Sequence, residues 1–330
     1  MKKIIECVPN FSEGQRPEVI ELIATAIKSV DGVKLLHVDP GEAANRTVMT
    51  FAGEPQAVCE AAFRAVDKAA QLIDMRQQHG RHPRIGATDV LPLIPVSGIS
   101  LEECAVLARQ LAQRVAGELH IPCYSYEAAA LKDSHRNLAD CRRGEYEGLA
   151  ARMSDPEERP DWGARPFDEQ MARTGCSVIG ARNFLIAVNF NLNTTDTAVA
   201  KAIAADVREK GTPGRPHALQ ATKAIGWFID EYGIAQVSMN ITDISKAPLH
   251  RCFEEVSRCA GEHGVSVTGT EIIGLVPKQV LTAAGRFYLG IDDRPSDEPE
   301  STLIDAAVHA MNLGDLRPFS PKEKILEYLL

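Results

Sequence analysis

The apolar residues in the first half of the chain follow two spacings, one typical of helices and one typical of strands. Apolar side chains at positions 19, 20, 23 and 27 recur at helical spacing after Pro17, a residue suited to the first helical position. The same spacing predicts longer helices around residues 58–73 and at 101–119. Short apolar runs bounded by turn residues predict strands at 4–8, 33–37, 47–51, 90–96 and 122–126.

The second half has a clearer order. Strands are predicted at 184–192, 224–229 and 234–241, a last strand starts at 265, and helices cover 196–210 and 249–262. Strand-helix-strand twice in succession is the split βαβ pattern. The first half follows a similar order with an extra helix and strand. We therefore predict an α/β (α+β) protein with two lobes, each with a mixed β-sheet covered by helices, and a ligand cleft between the lobes.

The middle of the chain differs from both halves. Residues 142–174 are polar and rich in Asp, Glu, Arg and Pro, which predicts a long connection between the lobes. A connection of this length is either disordered or functional. Trp162 and Phe167 favour the functional interpretation, because disordered linkers seldom carry large aromatic residues.

Composition and net charge limit the classes of partner that the protein could bind. The chain has 330 residues and a formal net charge of -9, which argues against nucleic acid or an anionic membrane as the main partner. The sequence contains no apolar run long enough for a membrane span and no secretory signal. Its eight cysteines form no CxxC pair, so reduced core thiols are expected rather than a disulfide framework or a zinc site. A cytoplasmic location is the expectation.

The segment HGRHPRIGATDV, residues 79–90, contains two histidines, two arginines and an aspartate, and is the first candidate for a functional site. Pro83 and two glycines exclude a helix interior, so the segment is predicted to be a loop that leads into a strand. One of its histidines could act as a general base near neutral pH, or could only hold the loop together by hydrogen bonds. Arg81 and Arg84 could bind a carboxylate, and Asp89 could orient the ring or cap the loop. The histidine spacing does not suit zinc.

Polar residues elsewhere extend this candidate site. Asp39 is a turn residue on sequence alone, and Asn45 and Arg46 begin the next strand. In the second half Asn189 and Asn191 share one face of a strand because strand side chains alternate. Gln236, Ser238, Asn240 and Thr242 share one face of another strand. These amides either face solvent, with helices behind the sheet, or line the cleft, where they would suit a heterocycle.

Several segments together resemble the glutamate formimidoyltransferase family. The residues that carry the resemblance are CVPNFSEG (7–14), NRTV (45–48), HGRHPRIGATDV, GARNFLIAVNFNL (180–192), AIGWFIDEYGIAQVSMN (224–240) and GLVP (274–277). The resemblance implies an N-terminal subdomain at 1–178 and a C-terminal subdomain at 179–290, with a helical tail at 291–330. It also implies a homodimer without the cyclodeaminase domain of the animal enzyme, which could act as a separate partner.

The resemblance further implies a reaction. The family transfers the formimidoyl group from N-formimidoyl-L-glutamate to tetrahydrofolate in histidine degradation, with tetrahydrofolate as co-substrate and no metal. Its catalytic histidine matches His82. Its folate-contacting stretch matches Gly163, Ala164, Arg165, Pro166, Phe167, Asp168, Glu169, Gln170, Met171 and Ala172. The expected substrate-binding residues are Asp39, Asn45, Arg46, Arg81, Arg84, Asp89, Asn189, Asn191 and Asn240.

Three other interpretations stay open at the level of sequence. The chain could be a folate-binding module that has lost the transfer, or it could transfer a formyl group instead. It could also be a metal-dependent hydrolase that uses His79, His82 and Asp89. Dependence on tetrahydrofolate or on a metal distinguishes transfer from hydrolysis.

Overall fold

The computed structural model describes residues 2–291 and 297–330. The chain forms two compact units, Met1–Asn183 (unit 1) and Phe184–Leu330 (unit 2). Part of the predicted helical tail, residues 292–296, lies outside the described residues. Within the described ranges, each helix is too short or too polar to cross a lipid bilayer. All eight cysteines are free thiols, and all except Cys59 are buried.

Unit 1 contains a seven-stranded sheet and six α-helices among its described residues. Its strands are β1 (Ile4–Cys7), β2 (Asn10–Phe11), β3 (Val33–Gly41), β4 (Arg46–Gly53), β5 (Thr88–Ser97), β6 (Cys123–Glu127) and β7 (Ser177–Ala181). Its helices are α1 (Pro17–Lys28), α2 (Pro55–Leu72), α3 (Leu101–Glu118), α4 (Leu138–Cys141), α5 (Leu149–Met153) and α6 (Glu169–Thr174), with a 3-10 turn at Asp133–His135.

The sheet of unit 1 is mixed. Strands β1 and β2 occupy one position between β4 and β5, interrupted at Val8 and Pro9, so the order is β3-β4-β1/β2-β5-β7-β6. The pairings of β5 with β7 and of β6 with β7 are parallel, and the others are antiparallel. The four positions from β3 to β5 are the split βαβ arrangement that the periodicity predicts.

Helices cover both faces of the parallel part of this sheet. Side chains of α1, α2 and α3 form one core with alternate strand residues such as Leu91 and Ile179. The residues between them, such as Val90 and Val178, form a second core with Leu149 of α5 and other apolar residues of the 128–176 connection. The polar connection predicted from composition is therefore folded against the sheet, because its few apolar residues are spaced to reach one face.

Unit 2 has a four-stranded sheet. Its strands are β8 (Ile186–Leu192), β9 (Thr222–Ile229), β10 (Ile234–Ile241) and β11 (Val267–Ile273). Its helices are α7 (Thr197–Val207), α8 (Leu249–Glu262), α9 (Lys278–Tyr288), α10 (Glu300–Ala310), α11 (Pro321–Lys324) and α12 (Leu326–Leu329). The order β11-β8-β10-β9 again follows the split βαβ arrangement.

The prediction of a mixed sheet holds for unit 1 and is wrong for unit 2, where every pairing of the described strands is antiparallel. The reason is the connectivity. Each helical crossover joins two parallel strands that leave room for an antiparallel strand between them, and only unit 1 adds β6 and β7 beyond this pattern. The α/β fold class itself, with two sheets covered by helices, is confirmed.

Two local predictions also change. The expected turn at residues 39–41 is the end of strand β3, whose one partner among the described strands is β4. Pro40 fits there because an edge strand does not need its backbone donor. Strand β7 was not predicted, since five residues between a cysteine and a polar loop carry too little pattern.

Candidate active site

Three loops meet at one end of the sheet of unit 1. Gly41, the last residue of β3, lies opposite Arg46, the first residue of β4. Phe11 at the end of β2 lies opposite both Thr47 of β4 and Thr88 of β5. The loop after β2, the loop between β3 and β4 and the loop before β5 therefore share this end. The last of these, His79–Asp89, carries the sequence-predicted histidines and is called the His82 loop.

Asn45 joins the three loops. Its backbone has a φ of 47°, which lies in the left-handed region that asparagine tolerates better than most residues. Its side-chain oxygen accepts the Gly14 N–H at 3.0 Å, and its side-chain nitrogen donates to the His79 carbonyl at 2.6 Å. Its own carbonyl accepts from Gln78 Nε2 at 3.0 Å. Asn45 is thus a positioning residue of the His82 loop, since its side-chain oxygen and nitrogen each bond to a different loop.

The His82 ring is partly buried and keeps one nitrogen available. Nδ1 lies 2.7 Å from the carbonyl oxygen of Pro83. Because a carbonyl oxygen only accepts, Nδ1 carries the proton and Nε2 keeps its lone pair. Burial lowers the pKa of His82 well below the ordinary 6.5, and the positive charges of Arg46 and Arg142 lower it further. A neutral imidazole with a free Nε2 is a competent proton acceptor.

Asp89 connects the His82 loop to Arg142. Its side chain is 1% exposed and accepts the Ile85 N–H and the Arg142 Nε, both at 3.0 Å. A second contact joins Arg142 Nη2 to the other carboxylate oxygen. This bidentate pair holds Arg142, which comes from the 128–176 connection, at the His82 loop. The sequence predicted Asp89 but missed Arg142, because the two residues are 53 positions apart.

Arg46 has an incomplete set of hydrogen bonds among the described residues. Its Nε is buried without a hydrogen-bond partner within the described residues. Burial and the charge of Arg142 lower the pKa of Arg46 to about 10, while Asp89 and Asp39 act in the opposite direction. A guanidinium that remains mostly protonated at neutral pH and is not paired favours binding of an anion.

Arg84 does not fit the expected substrate-binding role. Its five N–H groups donate to Gln78, Glu145 and Glu147, at distances from 2.7 to 3.3 Å. A substrate carboxylate would have to displace one of these acceptors. The guanidinium instead joins the His82 loop to the 128–176 connection. Sequence alone could not reveal this, since the two glutamates lie more than 60 residues away.

The other predicted residues of unit 1 lie around this group. Asp39, at the end of β3, is partly buried and close enough to Arg46 to influence its pKa. His79 and Arg81 are exposed. Both carboxylate oxygens of Asp89 accept hydrogen bonds from Arg142, and Oδ1 also accepts the Ile85 N–H. Asp89 is therefore poorly suited to bind a metal together with the two histidines.

The segment Gly163–Ala172, called the folate segment, is mainly exposed. Asp168 caps α6 by accepting the Met171 N–H at 2.8 Å, and it is paired with Arg165 at 2.6 Å. Met171 is buried. Just beyond the segment, the Thr174 carbonyl accepts the Ala87 N–H at 2.8 Å, so the segment ends at the His82 loop.

In unit 2 the predicted amides share one sheet face but bind one another. Gln236 Nε2 donates to Asn191 Oδ1 at 2.8 Å, and Trp227 Nε1 donates to Gln236 Oε1 at 3.1 Å. Asn191 Nδ2 donates to Asp315 at 3.0 Å. Asp315 approaches closely because the facing strand carries Gly269, where a Cβ would overlap it. The amides of Asn191 and Gln236 are therefore satisfied internally.

The remaining two asparagines differ from each other. Asn189 is buried and donates to Glu271 at 2.9 Å. Asn240 is exposed and lies opposite Ala187 and Lys223 in the sheet. Only Asn240 presents an exposed amide on this face among the three predicted asparagines.

A group that could hold a metal lies on α7 and α8 of unit 2. Asp206, Cys259 and His263 bring their ligand atoms within 4.8 Å of one another. Arg215 Nε and His263 Nε2 both bond to the same oxygen of Asp206, at 3.0 and 3.2 Å. The guanidinium already balances the carboxylate, so these contacts are explained by an ion-pair network.

The geometry defines a class of site. A neutral imidazole, an unpaired guanidinium and a second, carboxylate-held guanidinium at one sheet end suit acid–base chemistry on an anionic small molecule. Comparison with known protein families gives two matches. The formiminotransferase domain, N-terminal subdomain, matches residues 4–182, and the formiminotransferase domain matches residues 187–330. The chain belongs to this family.

The relatives include proteins named glutamate formimidoyltransferase and proteins named formimidoyltransferase-cyclodeaminase. Glutamate formimidoyltransferase of Streptococcus pyogenes is 40% identical over 89% of this chain and 95% of its own length, and that of Thermoplasma acidophilum is 39% identical over 88% and 93%. Formimidoyltransferase-cyclodeaminase of Gallus gallus is 44% identical over all of this chain. The chain spans 60% of the length of that fused relative.

Proposed function

We propose that the protein transfers the formimidoyl group of N-formimidoyl-L-glutamate to N5 of tetrahydrofolate, with His82 as the general base. The observation that carries this proposal is a neutral His82 imidazole with Nδ1 held by the Pro83 carbonyl, close enough to Arg46 for that charge to lower its pKa, while Arg46 Nε is buried without a partner among the described residues. Membership of the formiminotransferase family supports the choice of donor and acceptor.

The chemistry requires a proton to move twice. N5 of tetrahydrofolate attacks the amidine carbon, and a new N–C bond forms. Nε2 of His82 takes the N5 proton, which prevents the tetrahedral adduct from returning to the reactants. The imidazolium then gives a proton to the departing nitrogen of glutamate as the old C–N bond breaks. Base catalysis of this kind contributes about 10²–10⁴-fold, and alignment of the two substrates can contribute more.

The substrate carboxylates need cations. We assign one glutamate carboxylate of the donor to Arg46, because its Nε lacks a partner and its positive charge is only partly compensated. Arg142 adds a second positive charge, and the ion pair with Asp89 fixes the orientation of its guanidinium. Asn45 and Arg84 hold the loops in this account and do not contact substrate, while Asp39, Arg81 and Asn240 stay predicted substrate contacts. Asn189 and Asn191 would have to release internal bonds to join them.

One incubation tests the reaction. The protein is mixed with N-formimidoyl-L-glutamate, with and without tetrahydrofolate, and the products are identified by mass spectrometry. We expect glutamate and 5-formimidoyltetrahydrofolate only when both substrates are present. Release of glutamate without tetrahydrofolate, abolished by a chelator, would instead indicate the metal-dependent hydrolase. A parallel incubation with N-formyl-L-glutamate measures the competing formyl transfer.

Other properties that the resemblance implies stay predictions. These are the cytoplasmic location, the homodimer, a separate cyclodeaminase partner, and the subdomain limits at residues 178 and 290. Folate contact by residues 163–172 is likewise part of the proposal.

A further inference from the structure

A buried polar cluster precedes the folate segment and is not part of the His82 site. Its members are Ser125 of β6, His135 of the 3-10 turn, and Asp161 and Trp162 of the connection; we call it the Asp161 anchor. The side chains of His135 and Asp161 are each 2% exposed, and His135 Nδ1 lies 2.9 Å from Asp161 Oδ2. Because a carboxylate only accepts, the ring donates from Nδ1. Its Nε2 is buried and has no hydrogen-bond partner within the described residues.

The anchor closes the edge of the sheet. Among the strands of the described residues, β6 pairs with β7 alone, so its outer backbone groups need other partners. Asp161 Oδ2 accepts the Ser125 N–H at 2.8 Å, and Trp162 pairs with Cys123 through both backbone groups, at 3.0 and 3.1 Å. The indole Nε1 donates to Ser125 Oγ at 2.9 Å. The chain just before Gly163 is therefore held to β6 by four hydrogen bonds across two residues, and a fifth joins Asp161 to His135 of the 3-10 turn.

The next buried residue after the anchor is Met171. Between them, residues 163–170 are exposed or partly exposed. Gly163 has a φ of 66°, and a Cβ there would lie 3.1 Å from the Ala116 Cβ, so the turn away from the anchor is tight. The start of this exposed stretch is consequently set by the anchor. Its later part is held by the bond from Gln170 Nε2 to the Leu119 carbonyl at 2.9 Å, by the ion pair of Glu169 with Arg76, and by the contact of Thr174 with the His82 loop.

We propose that His135 is a positioning residue that acts through Asp161 on the folate segment and sets the affinity for the folate co-substrate. The inference rests on the proposed function for the identity of that co-substrate. Without the ring, Asp161 loses one donor in a buried place and its hold on Ser125 loosens, so the start of the segment becomes less ordered. The His82 loop keeps its own contacts, namely Asn45, Arg142 and Arg84.

Steady-state kinetics tests the assignment with matched variants. His135→Leu should raise the KM for tetrahydrofolate about tenfold, equivalent to about 1.4 kcal/mol, with kcat within about twofold. His135→Asn, whose amide can donate near the Nδ1 position, should recover most of the affinity. The control is Met153→Ala, which removes a buried side chain of the neighbouring core outside the anchor. An unchanged KM in His135→Leu, or an equal rise in the control, overturns the proposal.

Two further measurements keep the test decisive. If His135→Leu does not fold, Trp162→Phe removes only the indole donor to Ser125 and should raise the same KM about threefold; no rise overturns the proposal. If the wild-type protein shows no folate-dependent transfer, the proposed function fails by itself. Chymotrypsin cleavage after the exposed Phe167 then decides on the anchor. Faster cleavage of His135→Leu than of Met153→Ala supports it, and equal rates contradict it.

Discussion

Unit 1 and unit 2 share one order of strands and helices but treat polar groups in opposite ways. On the sheet of unit 2, Trp227, Gln236, Asn191 and Asp315 form a chain of hydrogen bonds in which each amide meets another side chain. At the sheet end of unit 1, Arg46 has a buried nitrogen without a partner, and burial and positive charges hold His82 neutral. The same topology thus supports a closed polar network in one unit and an incomplete one in the other.

The difference arises from additions to the common pattern. Unit 1 adds α3, β6, β7 and the 128–176 connection, and this connection supplies Arg142, Glu145 and Glu147 to the His82 loop. Unit 2 adds α9 to α12, and the segment after α10 supplies Asp315 to the sheet. The partners of the polar groups therefore depend on these additions: Arg46 comes from the shared strand β4, but the second cation, Arg142, comes from the added connection.

The largest expected effect comes from removing His82, the proposed base of the site in unit 1. His82→Ala should lower kcat for formimidoyl transfer about 10²–10⁴-fold, because the N5 proton then has no acceptor. The Kd for tetrahydrofolate, measured by fluorescence titration, should change little. If kcat and folate affinity fall together, His82 is a structural residue.

The buried ion pair of unit 1 gives the largest effect on stability. Asp89→Ala leaves Arg142 without its carboxylate and the Ile85 N–H without its acceptor, so the free energy of unfolding should fall by about 3–5 kcal/mol. Urea denaturation followed by circular dichroism measures the loss. Glu145→Ala is the control, since it removes an exposed ion-pair partner of Arg84 and should cost less than about 1 kcal/mol.

Removal of the unpaired cation should affect binding of the donor. Arg46→Met retains much of the side-chain volume but removes the charge, and should raise the KM for N-formimidoyl-L-glutamate about 10- to 100-fold, as expected for a charged hydrogen bond of ~1.5–3 kcal/mol. The KM of Arg46→Lys should lie between those of the wild type and Arg46→Met. Initial rates at saturating tetrahydrofolate provide the measurement, and a normal KM in Arg46→Met would remove Arg46 from the donor site.

The closed network of unit 2 should respond in stability. Asn191→Leu removes the acceptor of Gln236 and the donor to Asp315, so the free energy of unfolding should fall by about 1–3 kcal/mol. Asn240→Leu, at the exposed position on the same face, serves as the control and should change it by less than about 0.5 kcal/mol. Equal losses would show that the network contributes nothing beyond the exposed amide.

The smallest expected effect is a shift of the pH profile. The folded-state pKa of His82 is depressed, so the ring is deprotonated at neutral pH and activity should fall only below pH 6.5, as acid protonates Nε2. Arg46→Met removes one of the positive charges that depress this pKa, and the acid limb of kcat should therefore move toward higher pH. An unmoved limb in this variant, or a wild-type limb above 6.5, would contradict the electrostatic account.

Periodicity predicted most of the fold, because burial of one face spaces the apolar residues every two positions in a strand and about every 3.6 positions in a helix. Helix α8 has the predicted bounds, Leu249–Glu262, and α1 begins at the predicted Pro17. Strand β7 was missed because its five residues have no alternation of their own. The helices of the 128–176 connection were missed because only scattered residues such as Leu149 and Met153 face the core.

The candidate site was predictable where its residues are close in sequence. The His82 loop stands out by composition, and Arg46 follows from its place at the start of a strand. Arg142 and the partners of Arg84 could not be predicted, because their contacts are formed between segments more than 50 residues apart. Sequence shows which residue types are available, whereas the pairing of charges depends on the folded chain.

The ties between Arg84 and Glu147, and between Asp89 and Arg142, limit how this protein could be miniaturised. A shortened chain in which a minimal linker, just long enough to run from Glu127 back to Ser177 at the start of the parallel strand β7, replaced the connection would keep all seven strands of the larger sheet and the main helices behind it. It would also expose the apolar side of β5, β6 and β7 and leave two buried charges stranded. Such a minimal version should aggregate rather than fold, so an apparently dispensable insertion is as necessary as the sheet it covers.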